Sequence, residues 1–469
     1  MSAQQAQVAV VGAGISGLAL GFHLQRHGID VQVLEARERA GGNIRSEERQ
    51  GYLCEWGPNG WLDNEPATAR LVQALGLDDQ VVRAGELANV RWIVRDGALR
   101  ALPLRPPQLL SSDILTLRGK LRVLMEWAQP ARRDAADESV FDFAARRIGR
   151  EAAEVLVDAM VTGIYAGDSR HLSLQSAFPR MRDMEVRYGG LFKAMRAMRR
   201  ERRARGEHGG GGPMGPGGTL TSFHGGLETV VHALVDKLGT RLRLATPVEG
   251  LGRSNGGWSL SLPNAELHAE RVVIASPAWK AAPLLRDLDA DLAREVGAIP
   301  SAPVVVVCLG FSEESLRGVE KGFGFLVPGC EELPILGTLF DTWVFPNRSQ
   351  PGHVLLRTMI GGARDPNAME ETDDQLIARA LAALKRLLGV TADPEMLLVV
   401  RHPRGIPQYP VGHPQTLERI DKALAPHSGL ALAGNSYRGI AMNACIKEAE
   451  ALAAEWASAA STDPSGARA

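Results

Sequence analysis

Near the amino terminus, a short glycine-rich turn has the residue types and spacing that bind the phosphates of a nucleotide. The turn reads Gly12-Ala13-Gly14-Ile15-Ser16-Gly17, which is the pattern GxGxxG. Glycine at the first position permits a tight turn, and the second lets the backbone approach a pyrophosphate. The third lets helix and strand pack closely, and the helix start offers free N–H groups to an anion. The turn therefore predicts a dinucleotide site.

The elements around this turn support that prediction. Residues 8–11 form a short, wholly apolar run typical of a buried parallel strand, and the residues after Gly17 fit a helix that ends at Gly28. Residues 31–34 predict a second strand, which Glu35 follows directly. A carboxylate at this position can bind both ribose hydroxyls, which disfavours a 2′-phosphate and hence NADP.

Three further segments decide which dinucleotide is bound. Residues 35–42 match an ExxxRxGG pattern, and they resemble the amine-oxidase-like flavoprotein superfamily. A second small loop, residues 57–60, and a segment between a strand and a helix, residues 434–443, resemble its other flavin loops. Many members have Gly-Asp where this chain has Gly434-Asn435, a small departure because Asn still forms hydrogen bonds. The resemblance implies FAD, and the absence of cysteine from the last segment argues against covalent attachment.

Blocks spread along the chain resemble one family in that superfamily, the oxygen-dependent protoporphyrinogen oxidases. The matching blocks are residues 41–46, 57–66, 162–173, 322–328, 404–413 and 434–446. The resemblance implies oxidation of protoporphyrinogen IX to protoporphyrin IX, the step next to last in haem synthesis, with O2 as acceptor and H2O2 as product. In such a reaction the cofactor carries the chemistry, and the protein supplies binding and orientation.

The resemblance also implies site residues. Arg91 matches the arginine that pairs with a substrate propionate, and Gly167 the glycine whose carbonyl faces a pyrrole N–H. Phe323, Leu326 and Met359 match the apolar walls around the macrocycle; without the resemblance they would be core residues. The expected FAD contacts are Gly12, Ala13, Gly14, Ile15, Ser16, Gly17, Glu35, Ala36, Arg39, Gly42, Asn43, Gly57, Pro58, Asn59, Gly60, Val248, His402, Gly434, Asn435, Ile440, Ala441 and Met442. We expect no catalytic side chain, because neither Asp168 nor His171 has an evident partner in the sequence.

The expected fold class is α/β, with α+β character overall, in more than one domain. Length and the alternation of strand and helix patterns support that expectation. The family fold implies a Rossmann-like FAD-binding domain, a mixed-sheet substrate domain and a mainly helical insertion. The FAD-binding domain is expected at residues 1–85, 207–290 and 400–469. The substrate domain is expected at 86–103 and 291–399, and the helical insertion at 104–206.

Composition limits the setting of the protein. The formal net charge of −1 gives no global attraction to nucleic acid, and the basic run at residues 193–205 lacks interleaved aromatics. The four cysteines are widely spaced, which argues against zinc or a disulfide framework and favours a reducing compartment. Since only seven residues precede the first apolar run, we expect no signal peptide and a cytoplasmic location.

Membrane contact is left as an alternative. Residues 117–128 place leucines and a methionine on one helical face, and this face and the basic run could hold the cytoplasmic face of a membrane peripherally. The competing interpretation is a helix packed in its own domain. A homodimer is a further open expectation.

Three functions remain open from the sequence. The first is protoporphyrinogen oxidation. The second is oxidation of coproporphyrinogen III by a member of the same family, which needs more basic groups for four carboxylates. The third is a flavin-folded protein that binds porphyrin or a partner without turnover.

Overall fold

The computed structural model describes residues 4–103, 106–132, 134, 136–204, 217–254 and 256–461. The strands are β1 Gln4–Val11, β2 Val31–Leu34, β3 Ser46–Arg49, β4 Tyr52–Glu55, β5 Trp61–Leu62, β6 Val81–Arg83, β7 Arg91–Arg95, β8 Ala98–Ala101, β9 Leu220–Phe223, β10 Leu242–Arg243, β11 Gly250–Ser254, β12 Gly257–Leu262, β13 Ala265–Ile274, β14 Ser301–Ser312, β15 Gly324–Leu326, β16 Gly337–Leu339, β17 His353–Gly361, β18 Met396–Pro407 and β19 Leu430–Leu432. The helices are α1 Ile15–Arg26, α2 Pro66–Leu75, α3 Pro106–Ser111, α4 Leu117–Leu124, α5 Val140–Ile148, α6 Arg150–Ala152, α7 Asp158–Tyr165, α8 Leu174–Ala177, α9 Pro179–Tyr188, α10 Leu191–Ala204, α11 Thr229–Leu238, α12 Ala278–Leu285, α13 Ala290–Gly297, α14 Asp341–Val344, α15 Asp373–Leu388, α16 His413–Leu424 and α17 Met442–Ser461.

The first sheet is covered by helices on both faces. Its order is β10-β2-β1-β13-β12-β11, with β19 paired to β13, and β1 runs parallel to both β2 and β13. Val8 and Val10 pack towards α1, α11 and α17, whereas Ala9 and Val11 pack towards α12, α13 and α16. A strand buried on both faces has no polar side to alternate with, which explains the continuous apolar run.

The second large sheet carries a separate core. Its order is β18-β14-β17-β16-β15-β7-β8, mostly antiparallel, with β15 and β7 parallel. Asp96-Gly97 is a dipeptide typical of tight hairpin turns, and it joins β7 to β8 with both residues at positive φ, as a type I′ turn requires. The twelve-residue strand β18 was not predicted, because its carboxyl half reads RHPRGIP and lacks a strand pattern.

The region between residues 106 and 204 is helical, as predicted, and has charged groups in its interior. The guanidinium of Arg147 pairs with Glu126 and, at 3.5 Å, with Glu185, and all three side chains are fully buried. α6 continues through a π-helical segment, Ala153–Val157, into α7.

The α/β fold class is confirmed, and the domain bounds remain a prediction. The strands of the two large sheets fall within the segments assigned to separate domains, except that β18 crosses the predicted boundary at residue 400. The predicted boundary at residues 206–207 lies outside the described residues.

Candidate functional site

The glycine-rich turn forms where β1 ends. Gly12 has φ of +106°, a conformation that favours glycine. A β-carbon at Gly17 would overlap the carbonyl oxygen of Gly12, so this position permits only glycine. Gly14 differs, because a β-carbon there would meet no heavy atom of the described residues within 4 Å. Gly14 therefore presents bare backbone to open space, as a bound pyrophosphate requires.

The acidic residue after β2 is held in place for a ribose. One carboxylate oxygen of Glu35 accepts a hydrogen bond from Ala13 N at 2.8 Å, and the other accepts one from Arg37 N at 3.0 Å. Thr246 N donates to Glu35 O, so the loop containing Val248 lies at the same carboxyl edge of the sheet. Ala36, next to Glu35, is exposed at this edge. The contacts of these residues with a cofactor remain predictions.

Arg39 orders its own loop. Its guanidinium donates to the carbonyl oxygens of Ala40, Gly42 and Ile44 at 3.1, 2.7 and 3.3 Å. Gly41 N donates to Ala13 O at 2.7 Å, which fixes this loop against the glycine-rich turn. Arg39 thus fixes the backbone of this loop, and its contact with FAD remains a prediction.

The loop at residues 57–60 is held from beneath by a buried arginine. Arg357 of β17 donates to Gly57 O at 2.7 Å and to Glu55 O at 3.1 Å, and its Nε lies 2.9 Å from Asp341. Sequence reasoning missed Arg357, although one charge inside the apolar run of β17 was a signal, since buried charges require partners. Pro58 is exposed at the rim of this loop, and Asn59 lies half-buried within it.

The segment at residues 434–443 is also clamped from several sides. Gly434 N donates to Glu448 at 2.9 Å, and the hydroxyl of Tyr409 donates to Asn435 O at 2.5 Å. The side chain of Asn443 donates to Leu62 O at 2.8 Å. Ile440 and Ala441 precede α17, which begins at Met442. Glu448 and Tyr409 were not predicted.

Two buried polar atoms test whether these residues fit a dinucleotide. Within the described residues, Asn59 Nδ2 and Ser276 Oγ are buried without a hydrogen-bond partner. Ser276 lies against Gly12, and Gly57 beside Asn59 packs against Asn43 O. Unpaired buried groups are costly, so a polar ligand between the loops would satisfy them. The residues present therefore fit a bound dinucleotide.

An apolar wall of the second sheet carries the predicted substrate contacts. Leu326, Gly337 and Met359 are direct partners on β15, β16 and β17, so their α-carbons form one row and the side chains share one face. Gly337 leaves the row without a side chain between leucine and methionine. Arg91 is the partner of Gly324 on β7, which places it on the same face, two residues along the strand.

The other predicted substrate residues lie around this wall. Phe323 packs against Ala88, Val344 and Phe345, and the guanidinium of Arg91 lies 4.9 Å from its ring centroid. Phe323 therefore supports Arg91, and its role as a wall of the macrocycle site remains a prediction.

Gly167 follows the end of α7, after Ala166 at φ of +46°. It is buried against Gln408, whose Nε2 donates to Tyr165 O at 2.8 Å. Gly163 and Ile164 at the end of α7 are exposed, and Gly163 packs against Leu326 of the apolar wall. The sequence did not indicate this contact.

Asp168 and His171 are partners, contrary to expectation. His171 Nδ1 lies 3.2 Å from Asp168 Oδ2, and Asp168 Oδ1 accepts a hydrogen bond from Arg170 N. The sequence could not show this pair, because it depends on the local turn after Gly167. Since the His171 side chain is 79% exposed, the pair stabilises a surface turn.

Two histidines near the cofactor loops are kept neutral by burial. His402 Nε2–H donates a hydrogen bond to Trp56 O at 2.8 Å, and His413 Nε2–H donates one to Tyr437 O at 3.0 Å. Burial lowers the pKa of both side chains below the ordinary value of 6.5.

This burial predicts acid sensitivity. Below about pH 6.5 these histidines are protonated in the unfolded chain but stay neutral in the folded protein, where burial lowers their pKa. Acid therefore favours the unfolded state, and the free energy of unfolding should fall between pH 7 and pH 5. The measurement is urea unfolding at both pH values for the wild type and for His413→Gln. The variant should lose less stability on acidification; an equal loss in both proteins would contradict the assignment.

Comparison with known proteins agrees with this geometry. The family model for flavin containing amine oxidoreductases matches residues 15–455. The chain belongs to this family, and it is an FAD-dependent oxidoreductase.

Individual relatives are similar over nearly the whole chain. It is 32% identical to a chloroplastic protoporphyrinogen oxidase of Nicotiana tabacum, covering 95% of this chain and 84% of that protein. It is 30% identical to a coproporphyrinogen III oxidase of Bacillus subtilis (strain 168), covering 97% and 98% respectively. A crystal structure from Exiguobacterium sp. 255-15, provisionally assigned as a protoporphyrinogen oxidase, has a TM-score of 0.83 at 25% identity, covering 98% of this chain and 100% of that one.

Proposed function

We propose that this protein oxidises protoporphyrinogen IX to protoporphyrin IX with O2 as electron acceptor and H2O2 as product. The observation that carries the proposal is the in-register row of Leu326, Gly337 and Met359, an apolar wall with a cation on the same face. Such a wall suits an apolar macrocycle with a carboxylate at its edge. The names of the relatives supply the substrate class.

The residues of this chain bind and orient the substrate. Arg91 grips a propionate, because a guanidinium donates two parallel hydrogen bonds to a carboxylate. Leu326 and Met359 contact the macrocycle and exclude water, and the carbonyl of Gly167 accepts a pyrrole N–H. FAD, when bound, accepts a hydride from a substrate carbon, and O2 takes up the two electrons and two protons of each cycle to give H2O2. Repeated cycles remove the remaining hydrogens.

The charges around the wall favour a substrate with few carboxylates. Arg95 lies 3.7 Å from Glu151 and 3.8 Å from Glu331, so its charge is already compensated. Within the described ranges, Arg91 has no carboxylate partner, and its side chain is exposed beside the ring of Phe323. One free cation suits the two propionates of protoporphyrinogen better than the four carboxylates of coproporphyrinogen III.

Coproporphyrinogen III remains the second candidate, because the Bacillus subtilis relative matches over 98% of its own length. The deciding experiment compares turnover of the two porphyrinogens by the purified FAD-loaded protein. We expect the higher kcat/KM with protoporphyrinogen IX. A higher value with coproporphyrinogen III would transfer the proposal to that substrate, and oxidation of neither would refute it.

Replacing Arg91 by alanine should raise KM about tenfold or more while leaving FAD bound, because one charge-assisted contact is lost. The measurements are KM and flavin content of the purified variant. Arg317→Ala, which removes an arginine whose side chain is 80% exposed, is the matched control. Loss of flavin from the Arg91 variant, or an unchanged KM, would contradict the assigned role.

We also propose peripheral contact with the cytoplasmic face of a membrane through α4 and the turn after it. Leu117, Leu121 and Met125 are 74%, 54% and 55% exposed, so this face is not packed within its own domain. Trp127 is exposed beside Phe192 at the start of α10, and α10 presents exposed basic side chains. Apolar and basic groups together suit an anionic lipid surface. No helix among the described residues is long and apolar enough to cross a membrane.

The membrane contact is tested by co-sedimentation with vesicles that contain anionic phosphatidylglycerol. Wild type should sediment with them, and Leu121→Glu should remain in solution. Val186→Glu replaces an exposed apolar residue on α9 and serves as the control. Equal sedimentation of Leu121→Glu and the control would contradict the contact.

We also propose that the protein is a homodimer. Its oligomeric state is measured by sedimentation without vesicles.

A further inference from the structure

A cavity lies between α1, α2 and α17, lined by residues other than those assigned to the flavin loops and the substrate wall. Its volume is about 570 Å³. Five of its lining residues are basic or imidazole side chains from three helices. They are His23, Arg26 and His27 at the end of α1, Arg70 of α2 and Lys447 of α17.

The acidic residues in this cavity are already compensated. The guanidinium of Arg70 binds both carboxylate oxygens of Glu450, at 2.9 and 2.5 Å. Lys447 Nζ lies 3.5 Å from Glu65, which also accepts a hydrogen bond from Ala67 N. One cation therefore faces each carboxylate. The basic groups of α1 are left over, so the cavity favours an anion.

His23, which lines the cavity, has a polar side-chain atom without a hydrogen-bond partner. Its side chain is 5% exposed, and Nε2 is buried with no hydrogen-bond partner among the described residues. A buried ring nitrogen without a partner costs free energy that a hydrogen-bonding ligand would recover. Burial and the neighbouring cations lower the pKa of His23, so the neutral ring offers one N–H to such a ligand.

The helix start at this cavity is already occupied by a carboxylate. α2 begins at Pro66, which has no N–H, and Ala67 N donates to the side chain of Glu65. Attraction of an anion therefore rests on the side chains of α1. Arg26 and His27 also lie at the carboxyl end of α1, where cations commonly oppose the helix dipole. That role does not account for the unpartnered Nε2 of His23.

We propose that this cavity binds a phosphate-type dianion, either free phosphate or a phosphate monoester. The oxygens of the bound anion accept hydrogen bonds from Arg26, His27 and His23 Nε2. The bound anion holds the carboxyl end of α1, the helix that begins at the glycine-rich turn.

The test is isothermal titration of the FAD-loaded protein with inorganic phosphate, at constant ionic strength set with chloride. Bound FAD occupies the dinucleotide site, so phosphate binding there is blocked. We expect saturable binding at one site per chain and a phosphate-dependent rise of the unfolding temperature. Arg26→Gln and His27→Gln, both exposed positions, should each weaken binding about tenfold.

Lys422→Gln is the matched control, because Lys422 is also an exposed cation in the last turn of a helix, α16. It should leave phosphate binding unchanged. No saturable binding, or equal weakening by Arg26→Gln and Lys422→Gln, would overturn the proposal. A parallel titration with glycerol 3-phosphate identifies the source. Tighter binding than phosphate supports an ester ligand, and weaker binding supports the free ion.

Discussion

Replacing Gly14 by alanine should lower FAD affinity at least about tenfold, which corresponds to about 1.4 kcal/mol, without destabilising the FAD-free protein. The reason is geometric. A β-carbon at Gly14 meets nothing in the described protein, and the backbone there has φ of −69° and ψ of 176°, which alanine adopts freely. The added methyl group would instead occupy the space through which the pyrophosphate approaches. The measurements are flavin content and the unfolding temperature of the FAD-free protein.

The chain offers a closely matched control. Gly85 has φ of −70° and ψ of 175°, and a β-carbon there also meets no described atom within 4 Å. Gly85→Ala therefore makes the same chemical change in the same backbone conformation away from the glycine-rich turn. It should retain FAD fully. Equal flavin content in the two variants would contradict the placement of the pyrophosphate at Gly14.

Replacing Arg357 by methionine should destabilise the protein by about 3–5 kcal/mol, because Asp341 would remain as an unpaired buried charge. The side chains of Arg357 and Asp341 are 3% and 1% exposed. The variant also loses the hydrogen bonds to Glu55 O and Gly57 O, so the loop at residues 57–60 should bind flavin less tightly. The measurements are the free energy of unfolding in urea and flavin retention during purification.

Arg401→Met provides the comparison for this prediction. Arg401 pairs with Asp373 on the surface, where their side chains are 30% and 58% exposed. Loss of such a pair should cost about 1 kcal/mol or less. The double variant Arg357→Met with Asp341→Leu should recover part of the lost stability, since no charge is then left unpaired. Similar losses in Arg357→Met and Arg401→Met would refute the buried-pair account.

Local patterns predicted the elements that carry the glycine-rich turn. The apolar run at residues 8–11, the glycine spacing and the position of Glu35 each reflect a short-range constraint, and all appear in the fold, although β1 begins earlier, at Gln4. The turn at Asp96-Gly97 was predictable for the same reason. Contacts between residues that are close in the sequence can therefore be predicted from local patterns.

The supports of the site come from distant parts of the chain, and no local pattern specifies them. Arg357 contacts Gly57 although the two residues are 300 positions apart in the sequence. Glu448, which contacts Gly434, lies on the helix that follows it, α17. Gly337 takes its role from its partners on two neighbouring strands, which only the register of the sheet reveals. The substrate residues were predicted from resemblance, because a leucine or methionine in a strand otherwise indicates only a core.

The central claim is that the protein oxidises a porphyrinogen through bound FAD. The most direct measurement mixes the purified FAD-loaded protein with protoporphyrinogen IX in the absence of O2 and records the flavin absorbance. We predict that the yellow colour bleaches, and that admitting air restores it as protoporphyrin fluorescence and H2O2 appear. A flavin that stays oxidised in the presence of excess porphyrinogen would contradict the claim.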